Sequence, residues 1–376
     1  MNKLDFVNPL GQIKTIKTKE KVYEVFIPEL LPVTIEYNSK IIKKIEHANN
    51  LLGNLSGLIK NLPNPDLFIK PHIKKEAVLS SKIEGTKTSL SDLFKSDLDN
   101  KQTEDLKEVQ NYLSALDFGI NKIKEDGIDL PLILNLNKIL LTGVRGHNTN
   151  PGRIRTVQNW IGESNTTIEE STYTSPNPES VMELLENLIE YINNNSDTPD
   201  IVKSAVIHYQ FEAIHPFCDG NGRVGRLLII LYLCKTKLLA VPVLPISEYF
   251  EQRKSKYYEL LLNVSKKGEL NNWIDFYLTA IIDQTEETIT KLNTLLEYRK
   301  QKISYLKENK VNAKVLTLFD QLFVNPYINV NLAKRIINVN NYNTTKRIIQ
   351  KLVDLKLLKE IKKGMYLAED IEKMID

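Results

Sequence analysis

The sequence predicts a mainly α-helical fold with one inserted β-hairpin and a C-terminal winged helix-turn-helix. Apolar residues recur every three or four positions from about residue 39 onward. That pattern breaks between residues 143 and 178 into Gly-, Pro-, Asn- and Thr-rich sequence. Beyond about residue 310 it changes again, to three short helical patterns and a terminal pair of strands.

The elements follow in chain order. SKIIKKIEHANNLLGNLSGLI and TEDLKEVQNYLSALDFGINKIK each repeat apolar residues at helical spacing. Within residues 143–178 two β-like runs, IRTVQNWIG and STYT, predict a hairpin and loop inserted in a helical domain. Helices resume with PESVMELLENLIEYINNN, IVKSAVIHYQFEAI and VGRLLIILYLCKTK, and continue through SKYYELLLNVS and NNWIDFYLTAIIDQ. A charged helical stretch, EETITKLNTLLEYRKQKISYLKENK, leads to the tail, and no repeat of solenoid period interrupts the series.

In the tail, AKVLTLFDQLF, NLAKRII and NTTKRIIQKLVDLKL read as three helices, and LLKEIKKGMYLAE as two strands joined by Lys-Lys-Gly. The third helix carries Lys346, Arg347 and Lys351 beside Asn341, Asn343 and Thr345, residue types that reach phosphates or base edges. A solvated basic face on a small helical module is the alternative reading.

Composition narrows the function classes. A chain of 376 residues, 42% hydrophobic and 26% charged, is long enough for two or three domains and unlike a collagenous, disordered or membrane-embedded one. Fifty Lys+Arg against 47 Asp+Glu leave a net charge of +3, too little for a chain that binds nucleic acid over its whole surface. Cys218 and Cys234 belong to no CxxC pair, which points away from structural zinc or disulfides and toward a reducing, cytoplasmic location. The start, MNKLDFVNPLGQIKTIKTKEK, lacks the apolar core of a signal peptide, and the apolar run Leu227 to Cys234 is far short of a membrane span.

The densest chemical signal is IHPFCDGNGRVGR, residues 214–226. Gly220, Asn221 and Gly222 can turn consecutive backbone N–H groups and the start of the next helix toward one point, which makes an anion nest suited to phosphate. Arg223 and Arg226 fall three residues apart on that helix, so both can lie on one face and hold phosphate oxygens. Asp219 can bind Mg²⁺ bridging phosphates, and His215, followed by the stiff Pro216, is placed as a general base for an attacking hydroxyl. Together the parts describe nucleotidyl or phosphoryl transfer. GNGRVG also satisfies GxGxxG, but the segment before it is helical, so the dinucleotide fold lacks its strand, and no GK[ST] supports a P-loop.

The run His215-Pro-Phe-Cys-Asp219-Gly-Asn-Gly-Arg223-Val-Gly-Arg226 resembles the complete HxFx[DE]GNGRxxR signature of the Fic (Fic/Doc) family of AMP-transferring enzymes. The resemblance implies a helical Fic core, ATP with Mg²⁺ as donor, His215 as base, Asp219 as metal ligand, and Gly220, Asn221, Gly222, Arg223, Val224, Gly225 and Arg226 cradling the phosphates. A Ser, Thr or Tyr hydroxyl of a target protein would attack the α-phosphate and expel pyrophosphate.

Upstream, Ile73, Ala77, Ser80 and Glu84 share one helical face that begins apolar and ends in a hydroxyl and a carboxylate. Glu84 stands in the last turn before Gly85, where the helix dipole disfavours an anion, so it requires a cation from elsewhere. Ser80-Ser-Lys-Ile-Glu84-Gly85 is similar to the [ST]xxxE[GN] inhibitory motif of Fic proteins. By that resemblance Glu84 would pair with Arg226 and hold ATP unproductively.

Glu170 to Pro178 resembles the flap on which a target segment is laid as an added strand, with Thr172, Tyr173 and Thr174 as docking residues. SEYFEQRKSKYYELL resembles the stretch lining the adenine side, where Tyr249, Gln252 and Tyr258 would meet the base; aromatics packing a helix pair are the alternative there. The expected division is a helical region with the inhibitory motif at 1–105, a catalytic core at 106–285, and a linker helix with winged-helix-like domain at 286–376. Self-modification, a homodimer and DNA at the C-terminal domain are further partners consistent with this reading. Transfer of another nucleotide, removal of AMP, or a DNA-binding regulator that senses nucleotide are its alternatives.

Overall fold

The computed structural model describes all residues except 20, 63, 99–101, 163–165 and 196. The chain opens with an antiparallel pair, β1 (Gly11–Lys17) and β2 (Val22–Pro28), in register from Gly11↔Pro28 to Lys17↔Val22. The expected N-terminal helical region therefore begins with a hairpin. Its signal was the period-two alternation in GQIKTIK and the β-rich VYEVFIP, which buries Val25 and Phe26.

Helices α1 (Ser39–Lys60), α2 (Asp66–Ile83), α3 (Leu90–Ser96), α4 (Glu104–Lys122) and α5 (Leu130–Leu140) follow. Four of them start at a capping side chain: Asn38, Ser89, Thr103 and Asp129 accept from the N–H of Ile41, Asp92, Leu106 and Leu132. The inserted hairpin is present but short, with β3 (Trp160–Ile161) paired to β4 (Tyr173–Thr174). Of the run IRTVQNWIG only its last two apolar residues before glycine are strand. The rest bends around the buried guanidinium of Arg155. Positions 163–165 of the expected hairpin loop lie outside the described residues.

Helices α6 (Pro178–Asn193), α7 (Asp200–Ile214), α8 (Asn221–Lys235), α9 (Ile246–Gln252), α10 (Lys254–Lys267) and α11 (Leu270–Glu308) complete the central body. Thirteen of the fifteen residues of α7 are buried, so this helix is surrounded on all sides and its C-terminal end is fixed by packing. The α8 helix crosses beside it, with Leu227 to Leu233 all buried. The two helical patterns read at 271–284 and 286–310 are one helix, α11. Its 39 residues extend roughly 60 Å at 1.5 Å per residue, and Trp273 Nε1 donates to Ala205 O of α7 at 2.8 Å.

The tail contains α12 (Ala313–Gln321), β5 (Tyr327–Asn329), α13 (Val330–Ile337), α14 (Tyr342–Asp354), β6 (Lys359–Lys362), β7 (Met365–Leu367) and α15 (Glu369–Ile375). Its strands form an antiparallel sheet in the order β5-β7-β6. The strand β5 and helix α15 were not visible in the periodicity, being three and seven residues long. This tail packs on α2 and α3: Phe323 lies 5.7 Å from Phe68, and Asn325 Nδ2 donates to Phe94 O at 2.9 Å. Among the described residues no helix is long and apolar enough to cross a membrane.

The α2 helix is held from below by Glu76, which is buried. Its carboxylate accepts from Tyr112 Oη of α4 at 3.1 Å, and from Ser247 Oγ at 2.6 Å and Ser247 N at 2.9 Å of α9. Burial pushes this carboxyl up to about 7, against the pull of those hydrogen bonds and of Arg226. A carboxyl whose folded pKa is raised binds its proton more tightly when folded, so its contribution to stability is complete below about 4.5 and is lost as pH rises through about 7. The stability advantage of the wild type over Glu76→Gln in urea unfolding should therefore be larger at pH 5 than at pH 7.5.

Candidate active site

The loop between α7 and α8 brings the motif together. His215, the C-cap of α7, has a left-handed backbone (φ +50°, ψ +61°), and its N–H donates to Phe211 O at 3.0 Å. Its Nδ1 lies 3.3 Å from Glu212 O. A carbonyl can only accept, so Nδ1 carries the hydrogen and Nε2 presents its lone pair. Burial lowers the His215 pKa to about 4, Arg155 lowering it further against Glu212 O and Glu84, which keeps the ring neutral at pH 7.

Gly220 is the N-cap of α8 at φ +80°, where a Cβ would lie 3.1 Å from Asn137 Nδ2. No side chain caps α8 there, so its first N–H groups are free of the usual capping bond. Asn221 is spent on the loop itself: Oδ1 accepts from Phe217 N at 2.9 Å and Nδ2 donates to Phe217 O at 2.8 Å. Asp219 Oδ1 accepts from Gly220 N at 2.6 Å, and its side chain is partly exposed. Val224 and Gly225 are buried in α8. Gly225 lets α7 come close, because a Cβ there would stand 2.3 Å from Glu212 Oε1.

The two arginines do not share a face as their spacing predicts. Arg223 Nη1 reaches Glu108 Oε2 of α4 at 2.8 Å, while Arg226 turns to α2. Both guanidiniums are buried, and a buried charge requires a carboxylate, so each takes the one its side of α8 offers. Arg226 Nε donates to Ser80 Oγ at 2.8 Å, and Nη2 donates to Ser80 O at 2.9 Å and Glu84 Oε1 at 2.6 Å. Burial alone would raise the Glu84 carboxyl, but the charge and hydrogen bond of Arg226 outweigh it and hold it below the usual range. Gly222 makes room for this pair, since a Cβ would sit 2.3 Å from Glu84 Oε1. Beyond Glu84 the chain turns at Gly85 (φ +100°).

His215, Gly222, Arg226, Glu84, Tyr258 and Thr172 line one cavity of about 700 Å³, with Tyr173 of β4, Tyr257 and Glu212 in its wall. Asp219, Gly220 and Asn221 lie on the loop outside that lining, and Arg223 is turned away from it. Two of the adenine-side residues are elsewhere. Tyr249 is buried under the Arg253 guanidinium, 3.9 Å from its ring centre, and meets Phe276 edge-on. Gln252 is exposed and accepts from Arg253 Nη1 at 3.2 Å. Both sit on α9, whose short turn faces α11, whereas Tyr258 on α10 reaches the cavity. Of the three expected docking residues of the flap only Thr172 is exposed. Tyr173 donates from Oη to Ala213 O at 2.7 Å, and Thr174 Oγ1 is 2.8 Å from Ser171 Oγ, so these two side chains anchor the flap.

Arg155 was not found from sequence, although an arginine within a β-like run with no acid beside it was a signal. Its Nε donates to His215 O at 2.9 Å, Nη1 to Val157 O at 3.1 Å, and Nη2 to Ser175 Oγ at 3.0 Å and Pro176 O at 2.6 Å. Glu212 was missed too. Burial pushes its carboxyl up to about 8, Arg226 opposing and Glu84 adding, so a neutral acid stands in the cavity wall.

Two comparisons with known families cover the same region. Residues 42–121 match the family described as Fic/DOC family N-terminal, and residues 127–233 the one described as Fic/DOC family. The chain is similar to protein adenylyltransferase fic-1 of Caenorhabditis elegans, 32% identical over 158 residues, 41% of this chain and 27% of that protein. It is similar to the probable protein adenylyltransferase aq_aa38 of Aquifex aeolicus, 26% identical over 267 residues, 69% of this chain and 75% of that one. The chain thus spans about a quarter of the length of the nematode relatives it matches. A Fic family protein from Desulfovibrio desulfuricans G20 has a similar fold, with a TM-score of 0.60 at 18% identity over 90% of this chain and 98% of that one. Fic-1 from C. elegans has a TM-score of 0.53 at 23% identity, over 68% and 74%.

Removing Glu84 leaves the Arg226 charge buried with only Ser80 as partner. Because the Glu84 side chain keeps 29% of its exposure, Glu84→Gly should cost about 3 kcal/mol, the lower edge for breaking a buried pair. Thermal unfolding of the ligand-free protein reads this as a lowered midpoint. Adding ATP should recover more of the midpoint in Glu84→Gly than it adds to the wild type.

Proposed function

Because this chain belongs to the Fic/DOC family, we propose that it is a protein adenylyltransferase, transferring AMP from ATP to a Ser, Thr or Tyr hydroxyl of a target protein and held back by Glu84. The observation that carries the reading is one cavity in which a neutral His215, with Nε2 unprotonated, faces the Arg226 guanidinium that Glu84 occupies.

In the transfer step the target hydroxyl oxygen bonds to the α-phosphorus of ATP, and His215 Nε2 takes its proton. The bond from that phosphorus to the oxygen bridging to the β-phosphorus breaks, and pyrophosphate leaves with the electron pair. The uncapped start of α8 binds phosphate oxygens through backbone N–H groups, and Gly222 lets them approach. Arg226 binds phosphate once Glu84 has left it. While Glu84 remains, its carboxylate repels the triphosphate and neutralises the cation that would receive it.

Among the described residues no group of three or more His, Cys, Asp or Glu side chains forms a metal cage. Asp219 fits Mg²⁺ in the other mode, one partly exposed carboxylate with substrate oxygens supplying the remaining ligands. When bound, Mg²⁺ would neutralise phosphate charge. Exposed Thr172, beside the main chain of β3 and β4, is where a target segment would be laid. A reducing cytosol suits the two free cysteines.

Intact-protein and peptide mass spectrometry of wild type, Glu84→Gly and His215→Ala, each incubated with ATP and Mg²⁺ and a cell lysate, tests the proposal. An AMP mass on the protein or on a lysate protein should be strong in Glu84→Gly, weak in wild type and absent in His215→Ala; no added mass in any variant overturns it. A base whose pKa is depressed to about 4 works in its unprotonated form and is lost only as pH falls through that value. The kcat/KM of Glu84→Gly should therefore hold level from pH 8 to pH 6, where a histidine at its ordinary pKa of about 6.5 would lose most of its rate.

A further inference from the structure

Residues 330–363 carry nine Lys or Arg against two Asp or Glu, in a chain whose net charge is only +3. The positive charge of the molecule is therefore concentrated on α13, α14 and the β6–β7 hairpin. On α14, Thr345, Ile348, Ile349 and Leu352 face the core, while Asn343, Lys346, Arg347, Gln350 and Lys351 are exposed. All four residues of β6 are exposed, and Lys362 and Lys363 lead into the turn at Gly364 (φ +77°). Described ion pairs of the tail join Arg299 to Asp320 and Lys359 and Lys373 to Glu369, and they leave Lys346, Arg347, Lys351, Lys362 and Lys363 without a carboxylate.

Helix and hairpin are closely joined. The N–H groups of Leu357 and Leu358 both donate to Leu352 O, at 2.9 and 3.3 Å, so β6 leaves directly from the end of α14. Charged residues on an edge strand protect it from pairing with other chains, and that alone would account for β6. It does not account for a second cationic face on the adjoining helix.

We infer that α14 and the β6–β7 hairpin form a surface for duplex DNA, with Asn343 and Arg347 toward base edges in the major groove and Lys346, Lys351, Lys362 and Lys363 on phosphates. Asn and Arg are the residue types that read adenine and guanine edges, and an exposed helix fits the width of that groove. A-form RNA is disfavoured as the partner because its major groove is too deep and narrow to admit a helix.

The test uses the full chain and a labelled mixed-sequence DNA duplex of about 30 base pairs, followed by fluorescence anisotropy from about 50 to 200 mM salt. Affinity should fall steeply with salt, and K346A/K351A and K362A/K363A should each reduce the salt slope by about 2, near 0.9 for each phosphate no longer neutralised. The exposed pair K43A/K60A on α1 serves as a charge-matched control and should leave the slope unchanged. Hydrogen exchange of the wild type with duplex present should protect residues 342–351 and 359–363. No binding at the lowest salt, an equal loss in K43A/K60A, tighter binding of an RNA duplex, or protection confined to other elements would each overturn the inference.

Discussion

A guanidinium buried to 0% exposure at Arg226 is the constraint around which the site is organised. An ion so placed is tolerated only if its charge is paired and its hydrogens are bonded. Three acceptors from α2 meet that demand, Ser80 Oγ, Ser80 O and Glu84 Oε1. The position of α2 is thereby tied to the nest at the start of α8. The clamp at Glu76, one turn before Ser80 on the same face, secures this helix against α4 and α9. Arg226 Nη1 has no partner among the described residues and lies 3.0 Å from where a Gly222 Cβ would be, so its remaining valence points at the nest.

How much of this was legible in the sequence depended on how local the information was. Residues 214–226 form one loop and one helix start, so their composition and spacing could be read together in the sequence as a candidate phosphate site. The ion pairs are different in kind: Arg223 meets Glu108 and Arg226 meets Glu84 across separations of 115 and 142 residues. Periodicity showed that the arginines were near each other on one helix, but not that neighbouring helices would draw them apart. For the same reason Tyr249 and Gln252 were expected at the cavity with Tyr258. A one-residue break between α9 and α10 at Arg253 sends the two helices to different faces, and no amphipathic pattern records that turn. The β1–β2 pair was readable from alternation, yet the strength of the helical signal after residue 39 overshadowed it.

Packing also bears on the division of the chain. The tail rests on α2 and α3 through Phe323, Asn325 and Tyr327, and Tyr327 Oη shares a 2.8 Å hydrogen bond with Ser91 Oγ. The single helix α11 passes from the Trp273 anchor beside α7 to the ion pair of Arg299 with Asp320 of α12. The tail and the helix that carries Glu84 therefore share a continuous apolar interior, from Phe68 and Phe94 to Phe323.

Arg155 joins two pieces that have different tasks. Its fork grips the His215 carbonyl on one side and the Ser175–Pro176 end of the flap on the other, and Tyr173 adds a second tie, to Ala213. The backbone that carries the His215 ring and the strand β4 are thus held by one set of hydrogen bonds. If a target segment is laid beside β4 as proposed, force that a misfitting guest exerts on the flap would reach the imidazole as a change of orientation. Under the proposed reaction, recognition would then be registered in turnover as well as in affinity, because a guest that cannot lie flat would misalign the base.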